Sequence, residues 1–258
     1  MIDRKPKINK EKLGKKKTGK KIVVFGASGH AKVVLDIILR QGIYEVAGLL
    51  DNYKPVGTPC GVHQVLGDIS ALPGLAFEHA GLGCVVAIGD NWSRARIVNK
   101  IRECCPDLNF ATAVHPSAQV AEDAFIGQGT VIMAGAVVNS GAYVGPFCIL
   151  NTHSSLDHDS VMEEFSSLGP AAVTGGSIYV GGYSNVGIGA TVVQEVTIGR
   201  HTVIGAGAVV MKSVPDEVVV YGTPARIIRS RKIGERYLSE SSGHLKEQQI
   251  GMAAGGES

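Results

Sequence analysis

The sequence predicts an α/β domain with a parallel sheet, followed by a parallel β-helix. Three observations carry that prediction. Up to residue 110, short apolar strands alternate with helical patterns; from Val114 onward, branched apolar residues recur every six positions; and glycine, 34 of 258 residues, is concentrated after residue 125. That glycine share is roughly twice the usual one, and a chain of tight turns is the simplest reason for it. With 45% hydrophobic and 19% charged residues, the chain can bury the core of one large domain or two ordinary ones.

Charge is unevenly placed. Residues 1–21 hold ten Lys or Arg against Asp3 and Glu11, so a net charge of +2 divides into a basic segment near +8 and a body near −6. The segment lacks interleaved aromatics, which argues for a solvated extension and against a nucleic-acid partner. Cys60, Cys84, Cys104, Cys105 and Cys148 are odd in number and irregularly spaced, the usage expected of reduced thiols in a cytoplasmic protein. No apolar run approaches 18 residues, and the lysine-rich start leads into no signal-peptide core. Neither stable membrane insertion nor secretion is expected.

KIVVFGASGHAKVVLDIILRQG opens with a strand at Ile22–Phe25, turns through GASG and continues with Val33, Val34, Ile37 and Ile38 at helical spacing. YEVAGLLDN supplies a second strand ending at Asp51, and CVVAIGDN a later one ending at Gly89 and Asp90. NWSRARIVNKIREC is then a helix with Ile97 and Ile101 on one face and Arg94, Arg96 and Arg102 among its polar positions. Ligands of such a sheet gather beyond the strands' C-terminal ends. Ser28, His30, Asp51, Asn52, Asp90, Asn91 and Arg94 are the candidates there. The turn reads GxxGxA rather than GxGxxG, which disfavours a dinucleotide cofactor.

From Val114 to Val210 in steps of six there are seventeen positions; all are Val, Ile or Leu except Met162 and Thr174. Small residues usually follow four places later, as at Ala136, Cys148, Ser160 and Ala190. Period six fits neither an α-helix nor a hairpin sheet, but it suits a parallel β-helix with one short strand and one turn per hexad. If three hexads close a coil, as in the family named below, residues 18 apart stack at about 4.8 Å. His158, third in its hexad, then leaves the core at a turn, with Gly176 directly beside it.

The stretch from about Lys21 to Arg229 resembles the sugar O- and N-acetyltransferases of the sialic-acid O-acetyltransferase type, which include bacterial nucleotide-sugar 4-N-acetyltransferases. VVFGASGHAKVV, AIGDN, VHPSA, NTHSSLDHD, the hexads and VIGAGAVVMKSVPDEVVVYGTPAR carry the resemblance. It implies a Rossmann-like nucleotide-sugar-binding domain at 21–110 and a left-handed β-helix at 111–217, flanked by a tail at 1–20 and a cap and tail at 218–258. It also implies a homotrimer with active sites between subunits and acetyl-CoA as cosubstrate, in bacterial glycan biosynthesis. The family's base falls on His158, its acidic partner on Asp159, and the glycine facing the thioester oxygen on Gly176. Ser167, Gly176, Ile188 and Ala206 would meet acetyl-CoA; Gly26, Ser28, His30, Asp51, Asn52, Gly89, Asp90 and Arg94 would meet the nucleotide-linked amino sugar. Ser167 departs from the family, which often has a histidine there.

The residue types suit acyl transfer. A neutral imidazole takes the proton of an attacking amine, a carboxylate fixes its tautomer, and an amide stabilises the tetrahedral oxyanion. With no activated Ser or Cys beside His158, direct transfer is expected; Cys148, at a small-residue position, reads as a core filler. Zinc would need several converging histidines, whereas His153 and His158 are five apart and His201 is more than two coils beyond. Two alternatives remain open on sequence: O-acetylation of a sugar hydroxyl, and a β-helical scaffold without catalysis. The C-terminal residues from 230 are expected to include a short helix.

Overall fold

The computed structural model describes residues 19–237. Most of the basic segment and the tail beyond residue 237 lie outside the described residues.

Six strands form the first sheet: β1 (Lys20–Phe25), β2 (Tyr44–Leu50), β3 (Pro59–Cys60), β4 (His63–Gly67), β5 (Gly83–Val86) and β6 (Asn109–Phe110), in the order β3-β4-β2-β1-β5-β6. All pairs are parallel except the β3–β4 hairpin. Helices α1 (Gly29–Gln41), α2 (Leu72–Glu78) and α3 (Asn91–Cys104) connect them. Alternation along β1 decides the layering. Ile22 and Val24 join Val34, Ile37 and Ile38 of α1 in one core, while Val23 and Phe25 join Ala95, Val98 and Ile101 of α3 in another. The helices thus cover opposite faces, and the strands' C-terminal ends are left as the ligand edge.

Seventeen two-residue strands follow at six-residue intervals, numbered in order from β7 (Ala113–Val114) and β8 (Gln119–Val120) to β23 (Val209–Val210). Each pairs in parallel with the strand 18 residues away, as Ile132 does with Leu150 and Val180 with Ile198. The result is a left-handed three-sided prism whose sheets are β7-β10-β13-β16-β19-β22, β8-β11-β14-β17-β20-β23 and β9-β12-β15-β18-β21. The hexad side chains fill its interior: Leu150, Leu156, Met162, Leu168 and Val180 are all fully buried. At the small-residue positions, buried hydroxyls bond the carbonyls of the next turn, as Thr130 Oγ1 does to Gly145 O (3.0 Å) and Ser184 Oγ to Gly199 O (2.6 Å). Cys148 is a buried filler of this kind.

The reason for the many glycines differs from the expected one. The positive-φ position recurs every six residues from Gly129 to Gly207, but nine of these fourteen turns carry side chains, among them Phe147, His153, Asp159 and His201. Many other glycines sit where adjacent coils touch; at Gly187 a methyl group would lie 2.8 Å from the Ala206 nitrogen.

The first prism face packs against the α/β domain: Ala113, Val131, Met133 and Ile149 share a core with α1. One edge of that face carries an aromatic column. Phe147, Phe165, Tyr183 and His201 stack at centroid spacings of 5.0, 5.3 and 4.7 Å, and Trp92 of α3 leans on the last two. Offset aromatic contact of this sort helps hold the strained left-handed turns in place.

Strand β24 (Val218–Tyr221) extends the first face in parallel, and β25 (Arg226–Ser230) folds back antiparallel on it. This hairpin closes the last coil. Residues 231–237 form no helix and return to the α/β domain, where the Tyr237 hydroxyl donates to Gly89 O (3.2 Å); the rest of the segment in which a short helix is expected lies outside the described residues. Among the described residues no helix is long and apolar enough to cross a membrane.

Candidate functional site

His158 sits in the turn between β14 (Ser155–Leu156) and β15 (Val161–Met162), on the prism edge opposite the face covered by the α/β domain. Thr174, an exception in the hexad pattern, shapes this turn. At the equivalent place two neighbouring turns use a backbone ladder bond, Asn139 N to Leu156 O (3.0 Å) and Gly175 N to Val192 O (2.8 Å). Here Asp157 N donates instead to Thr174 Oγ1 (3.1 Å), and Leu156 and Thr174 are unpaired in the strand register. A core threonine therefore replaces a backbone contact one residue before the imidazole.

The next two acids have different tasks. Asp157 Oδ1 accepts from His158 N (2.8 Å) and Asn139 Nδ2 (2.6 Å), which fixes the backbone of the turn. Asp159, held at φ 57°, brings Oδ2 to 2.9 Å from His158 Nδ1. The hydrogen bond to Asp159, and then the charge of Asp157, raise the His158 pKa above the ordinary histidine value. With Nδ1–H donated to the carboxylate, the Nε2 lone pair faces outward as a base.

Gly176 lies under that nitrogen. A methyl group on it would stand 2.5 Å from His158 Cε1 and closer still to Nε2, so no side chain fits without moving the ring. Its carbonyl is used by Glu195 N (3.0 Å), and Ser177 N donates to His158 O (2.8 Å), whereas the Gly176 N–H has no acceptor among the described residues. A proton acceptor and a free amide donor thus stand side by side, with the imidazole more than half exposed.

The strand ends form a second site, a cleft of about 390 Å³. Gly26, Ser28, Asp51, Asn52, Gly89 and Asp90 all line it, which brings six of the eight expected sugar-nucleotide residues together. Asp51 is occupied internally: Oδ2 accepts from Ala27 N (2.8 Å) and Oδ1 from Tyr53 N (2.9 Å). Asp90 caps α3 through Ser93 N (2.8 Å), and its enclosed Oδ2 has no partner among the described residues.

The other two candidates are placed elsewhere. Arg94 is 1% exposed and bonds Phe147 O (2.8 Å), Ile88 O (2.9 Å), Gly89 O (3.0 Å), Asn91 Oδ1 (2.7 Å) and Phe165 O (3.2 Å). Its five N–H donors make it a bolt between the α/β domain and the prism, not a ligand contact; Asn91, beside it, bonds Ser184 O (2.9 Å). His30 does not line the cleft. Burial and the Arg94 charge push its pKa down to about 4, so it is neutral, and Nε2 has no partner among the described residues.

Ser167 also belongs to the junction. It is 5% exposed and donates to Asn91 Oδ1 (2.6 Å), out of reach of a cofactor on the surface. Ile188 and Ala206 do stack on one edge, exposed, but that edge is not the one carrying His158. Three cleft residues not singled out from sequence, Ser93, Arg96 and Lys100, lie at i, i+3 and i+7 on α3. Their helical spacing was the available signal.

Comparison with known proteins agrees with both parts. The model of the PglD N-terminal domain matches residues 21–101. A perosamine N-acetyltransferase from Caulobacter crescentus, a mutant with one histidine replaced by asparagine in complex with CoA and GDP-perosamine, is 37% identical at a TM-score of 0.76, over 81% of this chain and 97% of that one. The acetyltransferase domain of PglB from Neisseria gonorrhoeae, in complex with acetyl coenzyme A, is 32% identical at 0.75, over 81% and 100%. UDP-N-acetylbacillosamine N-acetyltransferase of Bacillus subtilis is 35% identical over 115 residues, 45% of this chain and 52% of that protein, so the match spans about half the length of that curated relative.

Proposed function

The chain belongs to the bacterial nucleotide-sugar N-acetyltransferases of the left-handed β-helix superfamily, and we propose that it moves the acetyl group of acetyl-CoA to the amine of a nucleotide-linked 4-amino-4,6-dideoxy sugar. The observation that carries this reading is the pairing of His158, oriented by Asp159 at 2.9 Å, with the unused amide of Gly176 beside its Nε2. As the sugar nitrogen attacks the thioester carbonyl, a C–N bond forms and its proton passes to His158 Nε2. Asp159 supports the imidazolium, and the Gly176 N–H donates to the carbonyl oxygen as it becomes an oxyanion. Collapse breaks the C–S bond, and the proton on His158 leaves with the coenzyme thiolate as a thiol.

General-base catalysis supplies typically 10²- to 10⁴-fold; positioning of two substrates supplies much of the rest. That positioning argues for an oligomer, and the homotrimer that the family resemblance implies would supply it. The cleft lies at the prism face opposite the His158 edge, so one chain cannot present its bound sugar to its own base. A neighbouring subunit has to close over the exposed imidazole and exclude water. Ile188 and Ala206, on a second edge, would then flank the cosubstrate from the neighbour.

The test is acetyl transfer to a panel of UDP-, GDP- and dTDP-linked 4-amino sugars, followed by coenzyme thiol release, with the protein and with His158→Asn. Turnover that falls at least about a hundredfold in the variant supports the base. Equal rates in both would remove His158 from the mechanism, and with the matching 4-hydroxy sugars run beside the panel, acceptance of those alone would make the protein an O-acetyltransferase.

A further inference from the structure

We propose that residues 231–237 form one wall of the cleft and place Arg236 there as a ligand of the substrate's diphosphate. The inference rests on the nucleotide-sugar reading above and adds a residue and an element to it.

The segment is fastened at both ends. Arg231, 4% exposed, donates from Nη1 to His201 O (2.6 Å) at the foot of the aromatic column and from Nη2 to Glu235 O. Its guanidinium also lies 5.8 Å from the Tyr237 ring centroid. At the other end the enclosed Tyr237 hydroxyl reaches Gly89 O (3.2 Å), and burial pushes its pKa up to about 12, so it stays a neutral donor. Between the anchors, Gly234 packs against the Trp92 indole so closely that a methyl group would lie 2.8 Å from Nε1. Arg229 and Glu235 add an exposed ion pair. A seven-residue strap held at these points has little freedom in where residue 236 emerges.

It emerges at the cleft. Arg236 lines the cavity together with Arg96 and Lys100 of α3, so three cations converge there from two elements far apart in sequence. Of the two acids in the same lining, Asp51 is internally bonded, and Asp90 caps α3. Three cations against two carboxylates leave the lining with a net positive charge. A ligand with a polyanionic centre fits it, and guanidinium groups suit phosphate oxygens through paired donors.

The test uses the full chain. Arg236→Ala is expected to raise KM for the nucleotide sugar about tenfold, leaving KM for acetyl-CoA and the melting temperature unchanged, and Arg236→Lys to recover part of the loss. Titration with uridine, guanosine and thymidine diphosphates should show the same weakening, with no effect on binding of the matching nucleoside. An Arg236→Ala protein with parental KM, alongside an Arg96→Ala protein whose KM rises, would overturn the strap assignment while leaving the nucleotide-sugar cleft intact. If the parent binds none of the diphosphates and acetylates no nucleotide sugar, the underlying reading fails and the strap proposal with it.

Discussion

Gly176→Ala tests the contact on which the proposed site depends. The residue is outside the left-handed region, so alanine brings no backbone strain, and the mutation adds a single methyl group. That methyl would meet Cε1 of His158 at 2.5 Å and Cδ2 at 3.0 Å. Ordinary carbon contacts are roughly 3.5–4.0 Å, so the imidazole has to retreat by about 1 Å. Displacement of that size in a reacting group is worth about 10²-fold in rate. His158 is exposed, so the ring can swing away with little effect on folding. The expected result is kcat about a hundredfold lower, a melting temperature within a degree or two, and unchanged KM for the nucleotide sugar, whose cleft is on the other side of the prism. Steady-state kinetics and a thermal melt suffice. Parental kcat in a folded Gly176→Ala protein would show that Nε2 is not where the proton goes.

The other expectations concern the same geometry. The rising limb of kcat/KM against pH should lie above the ordinary histidine value, because Asp159 and Asp157 favour the protonated imidazole. Asp159→Asn removes the larger of these effects, so the proton leaves at lower pH and the limb moves down, measurable as a shifted profile with reduced maximum. Thr174→Val keeps the core volume but deletes the acceptor of Asp157 N (3.1 Å); kcat should fall several-fold, with acetyl-CoA KM unaffected. Arg94→Met strips partners from buried carbonyls and should destabilise by about 3 kcal/mol or more in urea unfolding. Mixing His158→Asn chains with chains whose cleft is blocked by Ser28→Trp should restore roughly a quarter of parental activity if each site combines two subunits of a symmetric oligomer. No recovery after verified subunit exchange would assign base and cleft to one chain.

Periodicity makes most of the β-helix legible in the sequence. A six-residue repeat that runs without insertion turns every sequence distance of 18 into a contact, and this is how Gly176 could be matched to His158 from sequence. The same arithmetic could have drawn attention to Thr174: a hydroxyl at a core position, one coil from Leu156, needs a partner, and Asp157 N is the nearest unsatisfied donor. Arg94 was illegible for a different reason. On a helical wheel it is a polar residue near a strand end, like Arg96; only the docking of α3 on the column of Phe147 and Phe165 decides that one arginine is enclosed by carbonyls while the other faces the cleft. Ser167 and Tyr237 share that dependence, since Ser167 meets Asn91 of α3 across the junction and Tyr237 meets Gly89 just before that helix. Local pattern specifies the elements and the repeat, whereas residues at a docking surface take their roles from a partner remote in sequence. The cleft inherits this directly. Its floor comes from strand ends that a βαβ pattern locates, and its cationic wall comes from Arg236, brought there by a segment that carries no periodic signal.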